Sequence, residues 1–472
     1  MNQPAILNDT SKRGAQMPRV FISAAHKSSG KTTVTLGLCA ALHARGHAVQ
    51  PFKKGPDYID PLWLGMAAQR PCYNLDFHMM QRDEIEQQFA RAAASARISL
   101  IEGNKGLYDG LDLDGSNSNA ALAKHLEAPV LLVIDARGMT RGVAPLILGY
   151  QAFDPAIRIA GVILNNLGGS RHESKLRAVI EHYTDVEVVG AVQYDTGMQI
   201  VERHLGLVPA NEQQTAVTRI RHVGERIAAQ VDLDRLLAIA DRAPEREMPA
   251  GRTVPIQGER VRLAVAHDPA FGFYYSEDFD SLRASNVELV ELDTLHARSL
   301  PEVDGLIIGG GFPEVFMAEL EANTVLRTKI RDAIEAGLPT YAECGGLMYL
   351  SRRISWQGRT CEMVGVVPGD TVMHERPVGR GYASLQPTGD DRWQEPALIP
   401  AHEFHYSSLE NLSADSIYAY RVKRGHGIDG QHDGYQRHNL LASYSHRRGS
   451  GKQGWIVPFL NQVRAHKART AA

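Results

Sequence analysis

The sequence predicts two α/β domains in tandem: an N-terminal parallel-sheet domain carrying a phosphate-binding turn, and a second α/β domain behind it. Three observations carry this. Short apolar runs alternate with segments of helical period through the first half, as a doubly wound parallel sheet requires. "DRAPEREMPAGRTVPIQG" at 241–258 gathers Pro, Gly, Arg and Glu without periodicity and reads as a linker. The alternation then restarts near residue 259 and runs into "YAECGGLMYL" at 341–350, which sets a cysteine at a glycine-rich strand-to-helix turn.

In chain order, residues 1–18 lack the apolar core of a signal peptide and read as a disordered leader. "RVFISA" (19–24) is the first strand, and "TTVTLGLCAALHARG" (32–46) has helical period and closes on glycine. Further strands follow at "ISLIEG" (98–103), "PVLLVIDA" (129–136), "IAGVILNN" (159–166) and "VEVVGAV" (186–192), with helices between most of them. The first domain is thus 19–240. The second, 259–472, holds "VRLAVAHD" (261–268), a helix at 276–285, "VELVEL" (287–292), "GLIIGGG" (305–311), a helix through 319–336 and "PTYAECGG" (339–346).

Composition sets outer limits. At 43% hydrophobic and 22% charged, the 472 residues are those of an ordinary soluble chain. A net charge of −3 argues against a nucleic-acid partner. Four cysteines without CxxC spacing argue against a disulfide framework or zinc site and fit a reduced, cytoplasmic setting. The absence of an apolar run of about 18 residues excludes a membrane-spanning helix.

Chemistry begins at "AAHKSSGKTT" (24–33). Gly30-Lys31-Thr32 ends a phosphate-binding loop in which Ala25 stands where the Walker pattern has its first glycine. Such a loop needs backbone N–H groups around phosphate, a lysine on the terminal phosphates and a hydroxyl on Mg²⁺. Lys31 and Thr32 supply the last two, flanked by Ser29 and Thr33, and the helix that follows supplies the N-terminus. Lys27 fits a solvated side chain as well as a phosphate contact. Asp57 and Asp60 in "FKKGPDYIDP" (52–61), and Glu102 and Asp109 in "IEGNKGLYDG" (101–110), fall at strand ends on the same side. Thr32, Glu102 and one of the two aspartates, taken as Asp57, are the expected Mg²⁺ ligands.

These motifs, with "NLDFHMM" (74–80), "APVLLVIDARGM" (128–139), "GVILNNLGGSRH" (161–172), "ERHLGLVPA" (202–210), "AHDPAFGFYYSEDFDSL" (266–282), "GGGFPE" (309–314), "AECGGLMYL" and "HEFHYS" (402–407), resemble the cobyrinic acid a,c-diamide synthase family in one order from about residue 19 to 446. The resemblance implies a dethiobiotin-synthetase-like ATP domain fused to a class I glutamine amidotransferase domain. It implies ATP- and Mg²⁺-dependent activation of tetrapyrrole acetate carboxylates as acyl phosphates, then amidation by ammonia from L-glutamine. It places Asp57, Tyr58, Ile59, Asp60 and Asp109 at the tetrapyrrole and Asn165 at the nucleotide, and implies a homodimer. Lys54, and Asn104-Lys105, stand where relatives often have apolar residues, which bears on the macrocycle and not on the reaction type.

A glutaminase needs a thiolate, a base and oxyanion donors. Cys344 at the sharp turn is the nucleophile, with a helix N-terminus favouring the thiolate. Gly345, Gly310 and Gly311 are the expected oxyanion donors. "ASYSHRRGS" (442–450) resembles the family segment that carries the catalytic histidine, which maps onto His446, although Arg447-Arg448-Gly449 depart from the usual continuation. His402 and His405 fit either the glutamine pocket or a structural pair. No acid presents itself as third member of a triad. Cys39 reads as core, and nothing activates Cys72 or Cys361.

Two other readings stand beside this one: the same chemistry on a sirohydrochlorin-type ring, sirohaem or nickel-sirohydrochlorin; or a ParA-like ATPase switch with a vestigial amidotransferase domain. Amidation carries a further expectation, a shielded path for ammonia between Cys344 and the phosphate loop.

Overall fold

A computed structural model describes residues 16–200, 202–203, 206–210, 215–245, 256–389 and 396–470. Most of the expected leader, residues 246–255 of the expected linker and parts of "ERHLGLVPA" lie outside the described residues. The chain divides into two compact units, Met1–Phe77 with Gln81–Arg252, and His78–Met80 with Thr253–Ala472.

The first unit runs β1 (Arg19–Ala24), α1 (Lys31–Ala44), β2 (Val49–Lys54), α2 (Ile59–Ala68), β3 (Tyr73–Leu75), α3 (Arg82–Ala93), β4 (Ile98–Gly106), α4 (Asn119–His125), β5 (Val130–Asp135), α5 (Val143–Phe153), β6 (Ile159–Leu167), α6 (Ser170–Tyr183) and β7 (Val188–Gln193). A short hairpin, β8 (Glu202–Arg203) and β9 (Gly206–Leu207), precedes α7 (Ala216–Ala228) and α8 (Leu233–Asp241). The seven-stranded sheet has the order β3-β2-β4-β1-β5-β6-β7, every pair parallel. Strand β1 is buried along its length, because helices cover both faces of such a sheet. Full burial of each Val, Leu, Ile or Phe side chain stabilises by roughly 1.5–3 kcal/mol. Strand order reverses around β1, between β4 and β5, which opens a crevice at its carboxyl end.

The second unit runs β10 (Val261–Ala266), β11 (Phe271–Phe273), α9 (Ser276–Ala284), β12 (Val287–Leu292), β13 (Gly305–Ile308), β14 (Gly310–Gly311), α10 (Met317–Ala322), α11 (Thr324–Glu335), β15 (Thr340–Glu343) and α12 (Gly345–Leu350). There follow β16 (Arg353–Trp356), β17 (Arg359–Glu362), β18 (Asp370–Met373), β19 (Gly379–Pro387), β20 (Ile399–His405), β21 (Ser407–Glu410), β22 (Ile417–Arg424), β23 (His432–Arg437), β24 (Leu440–Ser443) and α13 (Ile456–Thr470). The main sheet, β12-β10-β13-β15-β24-β23-β22-β19-β20, is parallel from β12 to β24 and antiparallel beyond.

One expectation needs correction. The single helix through 319–336 is two, α10 and α11, divided at Asn323. The Asn323 amide donates to the Thr294 and Ala297 carbonyls, both at 2.9 Å, while its oxygen caps α11 at Leu326 N. An Asn that caps a new helix stops the old one without breaking the apolar period. After "GLIIG" the chain turns, as expected for "GGGFPE": β13 ends at Ile308, and Gly310–Gly311 pair antiparallel with β11.

Candidate active site

In the first unit the loop after β1 wraps onto the N-terminus of α1. Gly30 caps that helix at φ 82, a left-handed conformation that favours glycine. A Cβ there would lie 2.2 Å from Asn165 Nδ2, which donates to the Ser29 carbonyl at 2.9 Å. Asn165, at the carboxyl end of β6, therefore holds the loop's backbone in shape. Ala25 is not in a left-handed conformation, so the missing Walker glycine costs the loop nothing. Lys31 is nearly buried, and burial with the Lys53 charge lowers its pKa. Thr33 sits half-buried on the first turn of α1.

Thr32 Oγ1 donates to Glu102 Oε1 at 2.7 Å and reaches Asp60 Oδ2 at 3.4 Å. Asp60, not Asp57, is thus the aspartate beside the P-loop hydroxyl. Asp57 Oδ1 caps α2, accepting from Ile59 N at 3.0 Å and Asp60 N at 3.1 Å. Burial, and then the Asp60 charge, push Asp57 up to about 7. Tyr58 is buried at the N-cap of α2, and Asp109 Oδ2 accepts from Gly106 N at 3.0 Å, closing the turn after β4.

The sequence reading passed over Lys53. Its ammonium pairs with Asp60, with Glu102 Oε1 at 2.8 Å and with Asp57 Oδ2 at 3.7 Å. Burial works against the Lys53 charge, but these three carboxylates hold its pKa well above the ordinary value. Parallel register explains the meeting, since Lys53 on β2 stands opposite Glu102 on β4. Among the described residues Glu102 Oε2 is buried and without a hydrogen-bond partner. A hydroxyl, two carboxylates and an orphaned carboxylate oxygen suit Mg²⁺, which takes few protein oxygens and keeps its waters. Among the described residues no group of three or more His, Cys, Asp or Glu is placed to hold a metal ion; the fit rests on Thr32 with the Asp60 and Glu102 carboxylates.

In the second unit Cys344 joins β15 to α12 at φ 47, ψ −100, strained for a residue with a Cβ. Its N–H is held by the Ser443 carbonyl at 2.7 Å. His446 hydrogen-bonds the Cys344 sulfur, and its Nδ1 lies 3.2 Å from Glu343 Oε2. Burial opposes a charge on His446, yet the sulfur and then Glu343 carry its pKa up to about 10. A buried imidazolium is thereby held beside the sulfur.

Glu343, the residue before the nucleophile, is the acid that sequence reasoning missed. Its Oε1 accepts from Tyr341 OH at 2.6 Å and Arg447 N at 3.0 Å. The unexpected residues after His446 secure that segment. Arg447 Nη1 donates to Tyr420 OH at 2.6 Å, Arg448 pairs with Glu277 at 3.4 Å, and Gly449 N and Ser450 N both donate to Asp278.

The glycines converge on the pair. A Cβ on Gly310 would lie 2.6 Å from His446 Cε1, and one on Gly345 would lie 3.0 Å from Gly311 N. His402 stacks on His446 with centroids 5.0 Å apart, and their backbones bridge at 3.0 and 2.7 Å. Burial, then the His446 charge, hold His402 well below the ordinary histidine pKa. His405 instead stacks on Tyr444 at 4.0 Å and bonds the Ser407 carbonyl at 2.8 Å, the contacts of a packing residue. Cys39, Cys72 and Cys361 are buried free thiols whose pKa values burial raises.

Residues 21–208 match the CobQ/CobB/MinD/ParA nucleotide binding domain, and residues 262–452 the CobB/CobQ-like glutamine amidotransferase domain. Cobyrinate a,c-diamide synthase of Magnetococcus marinus is 47% identical over 452 residues, covering 94% of this chain and 97% of its own. That of Methanosarcina acetivorans is 42% identical, covering 96% of this chain and 97% of its own. That of Listeria monocytogenes serotype 4b is 40% identical, covering 91% and 96%. The chain belongs to the cobyrinate a,c-diamide synthase family.

In this member of the cobyrinate a,c-diamide synthases, then, the nucleotide-binding domain carries the Lys31–Thr32–Asp60–Glu102–Lys53 cluster, and the amidotransferase domain carries Cys344, His446 and Glu343. Each site is assembled from distant segments at the carboxyl ends of parallel strands.

Proposed function

We propose that this protein is a glutamine-dependent amidoligase that uses ATP to convert the a and c acetate carboxylates of cobyrinate to amides. The observation that carries the reading is a Cys–His–Glu constellation and a phosphate loop in one chain, related over 94% of its length to a cobyrinate a,c-diamide synthase.

At the thiol, the Cys344 sulfur attacks the side-chain amide carbon of L-glutamine. Backbone N–H groups of Gly311 and Gly345 hold the developing oxyanion, His446 gives its proton to the departing ammonia, and Glu343 keeps the imidazolium oriented. Water then releases glutamate from the thioester, with His446 as base. His402, neutral and stacked, walls the pocket.

At the phosphate loop, Lys31 and the loop's backbone N–H groups hold the ATP phosphates. Thr32, Asp60 and Glu102 would hold Mg²⁺, which supplies charge neutralisation between phosphates when bound. Lys53 keeps the carboxylate cluster paired before ligands arrive. The acetate oxygen takes the terminal phosphoryl group from ATP, leaving ADP. Ammonia then displaces phosphate from the acyl phosphate and leaves the amide. Acidic clusters and an oriented thiol have no use in a ParA-like switch.

The reading carries with it a reduced cytoplasmic setting, in which Cys344 stays a thiol, and a homodimer, which light scattering checks. Among the described residues no helix is long and apolar enough to cross a membrane. The test is a mass-resolved assay with ATP and glutamine across cobyrinate, hydrogenobyrinate, sirohydrochlorin and sirohaem. Each amidation exchanges OH for NH₂, so two such steps on cobyrinate are expected. Two steps on sirohaem alone would move the substrate to the sirohydrochlorin branch, and glutamate release without any acceptor product would sink the ligase reading.

A further inference from the structure

Lys54, the last residue of β2, is only 5% exposed. Among the described residues its ammonium makes no hydrogen bond or ion pair. Its stem is buried, but its ammonium is not among the fully buried, unpaired polar atoms, so a lysine whose tip stays at the surface is placed to meet a ligand there.

Its surroundings are mixed in charge. Asp76, just past β3, attracts it; Lys105 near the end of β4, and Lys53 beside it, repel it. Burial, aided by the two lysines and opposed by Asp76, brings Lys54 down to about 8. Alternation along a strand directs Lys53 and Lys54 to opposite faces, so Lys54 is not part of the Asp60–Glu102 cluster that Lys53 serves. A Cβ on Gly55 would meet Asn104 Nδ2 at 3.2 Å and Asp76 Oδ2 at 3.8 Å. The ends of β2, β3 and β4 therefore form one patch. Lys105 is exposed there, its N–H held by the Asn104 side chain at 2.8 Å.

The order β3-β2-β4-β1 sets Lys54 two strands from the phosphate loop, about 10 Å at ordinary strand spacing. That is beyond the phosphates that Lys31 holds, yet one residue along the strand from the carboxylate-activating cluster. We infer that Lys54, with Lys105 beside it, forms a subsite for a carboxylate of the macrocycle other than the one being activated. The inference rests on the reading of this protein as an amidoligase of a carboxylate-rich tetrapyrrole, and it deepens that reading to the choice of macrocycle.

The test compares the full-length wild-type protein with Lys54→Met and Lys105→Met in the cobyrinate assay, with KM measured for cobyrinate, ATP and glutamine. For Lys54→Met the cobyrinate KM should rise about 10- to 100-fold, the range a hydrogen bond to a charged group gives. The KM for ATP and the rate of glutamine hydrolysis should not move. The melting temperature should hold, because methionine keeps the buried stem; a residue kept only for structure would lower it. Lys105→Met, at an exposed position, should raise the cobyrinate KM by a smaller factor and serves if Lys54→Met does not fold. An unchanged cobyrinate KM in both variants overturns the subsite while leaving the amidoligase standing. A raised ATP KM overturns it in favour of a phosphate contact. A wild-type protein that amidates none of the four macrocycles overturns the amidoligase and the subsite together.

Discussion

Glu343 and His446 are 103 positions apart in the chain and 3.2 Å apart in the fold. Their meeting adds to the Cys344 sulfur's larger effect on the protonation of the base. With the Cys344 sulfur and Glu343 both raising it, His446 reaches about 10, so it remains an imidazolium below that pH and loses its proton above it. Proton donation to departing ammonia should therefore persist through neutral pH, and glutamine hydrolysis should fall off on an alkaline limb near 10. Glu343→Gln removes one of the two groups that raise the pKa. Its alkaline limb should move to lower pH, and kcat should fall on the order of 10²–10⁴-fold, as loss of an oriented acid–base group does. A pH–rate profile for glutamate release reads both; a limb that stays put would remove Glu343 from the mechanism. At the other site, Lys53→Met strands Glu102 and Asp60 without their buried partner. Breaking such a pair costs about 3–5 kcal/mol, so urea unfolding should show a loss of that size along with loss of amidation.

Elements explain what the residues alone conceal. Gly310 belongs to a two-residue strand, β14, that turns off β13 and packs on His446. Gly310→Ala would drive a methyl into the imidazole at 2.6 Å. Misplacing a catalytic ring by about 1 Å costs on the order of 10²-fold. Glutaminase kcat should fall by that factor while ammonia-supported amidation continues; equal loss of both would mean global damage. The phosphate loop was legible in the sequence because strand, turn and helix are contiguous there, and so was the thiol elbow. Lys53 was not, because a lysine in "FKKG" resembles any polar strand end until β2 is set beside β4. Glu343 was not, because its partner arrives from β24, parallel to β15 and a hundred residues later. One signal was present: an acid closing the apolar run "PTYAE", where a buried carboxylate demands a partner. Strands β19 and β22 are long but half-exposed and rich in polar residues, so they left little apolar periodicity to read.

At the scale of the whole molecule, the chain joins a thiol that liberates ammonia to a phosphate loop that makes a carboxylate reactive toward it. The two chemistries are separable. Ammonium is a poor nucleophile near neutrality, and a free carboxylate is a poor acceptor, so neither half completes the reaction alone. Free ammonia at high concentration should replace the first half but not the second. Thr32→Ala should accordingly abolish amidation from either nitrogen source while leaving glutamate release, a separation visible by assaying both products in one reaction. The most direct test is Cys344→Ala, shown to be folded by its melting curve and assayed for cobyrinate amidation with glutamine and, separately, with high ammonium chloride at alkaline pH. Glutamine-driven amidation should vanish and ammonia-driven amidation should continue near the wild-type rate. A folded Cys344→Ala protein that still uses glutamine, or that loses ammonia-driven amidation as well, would contradict the account.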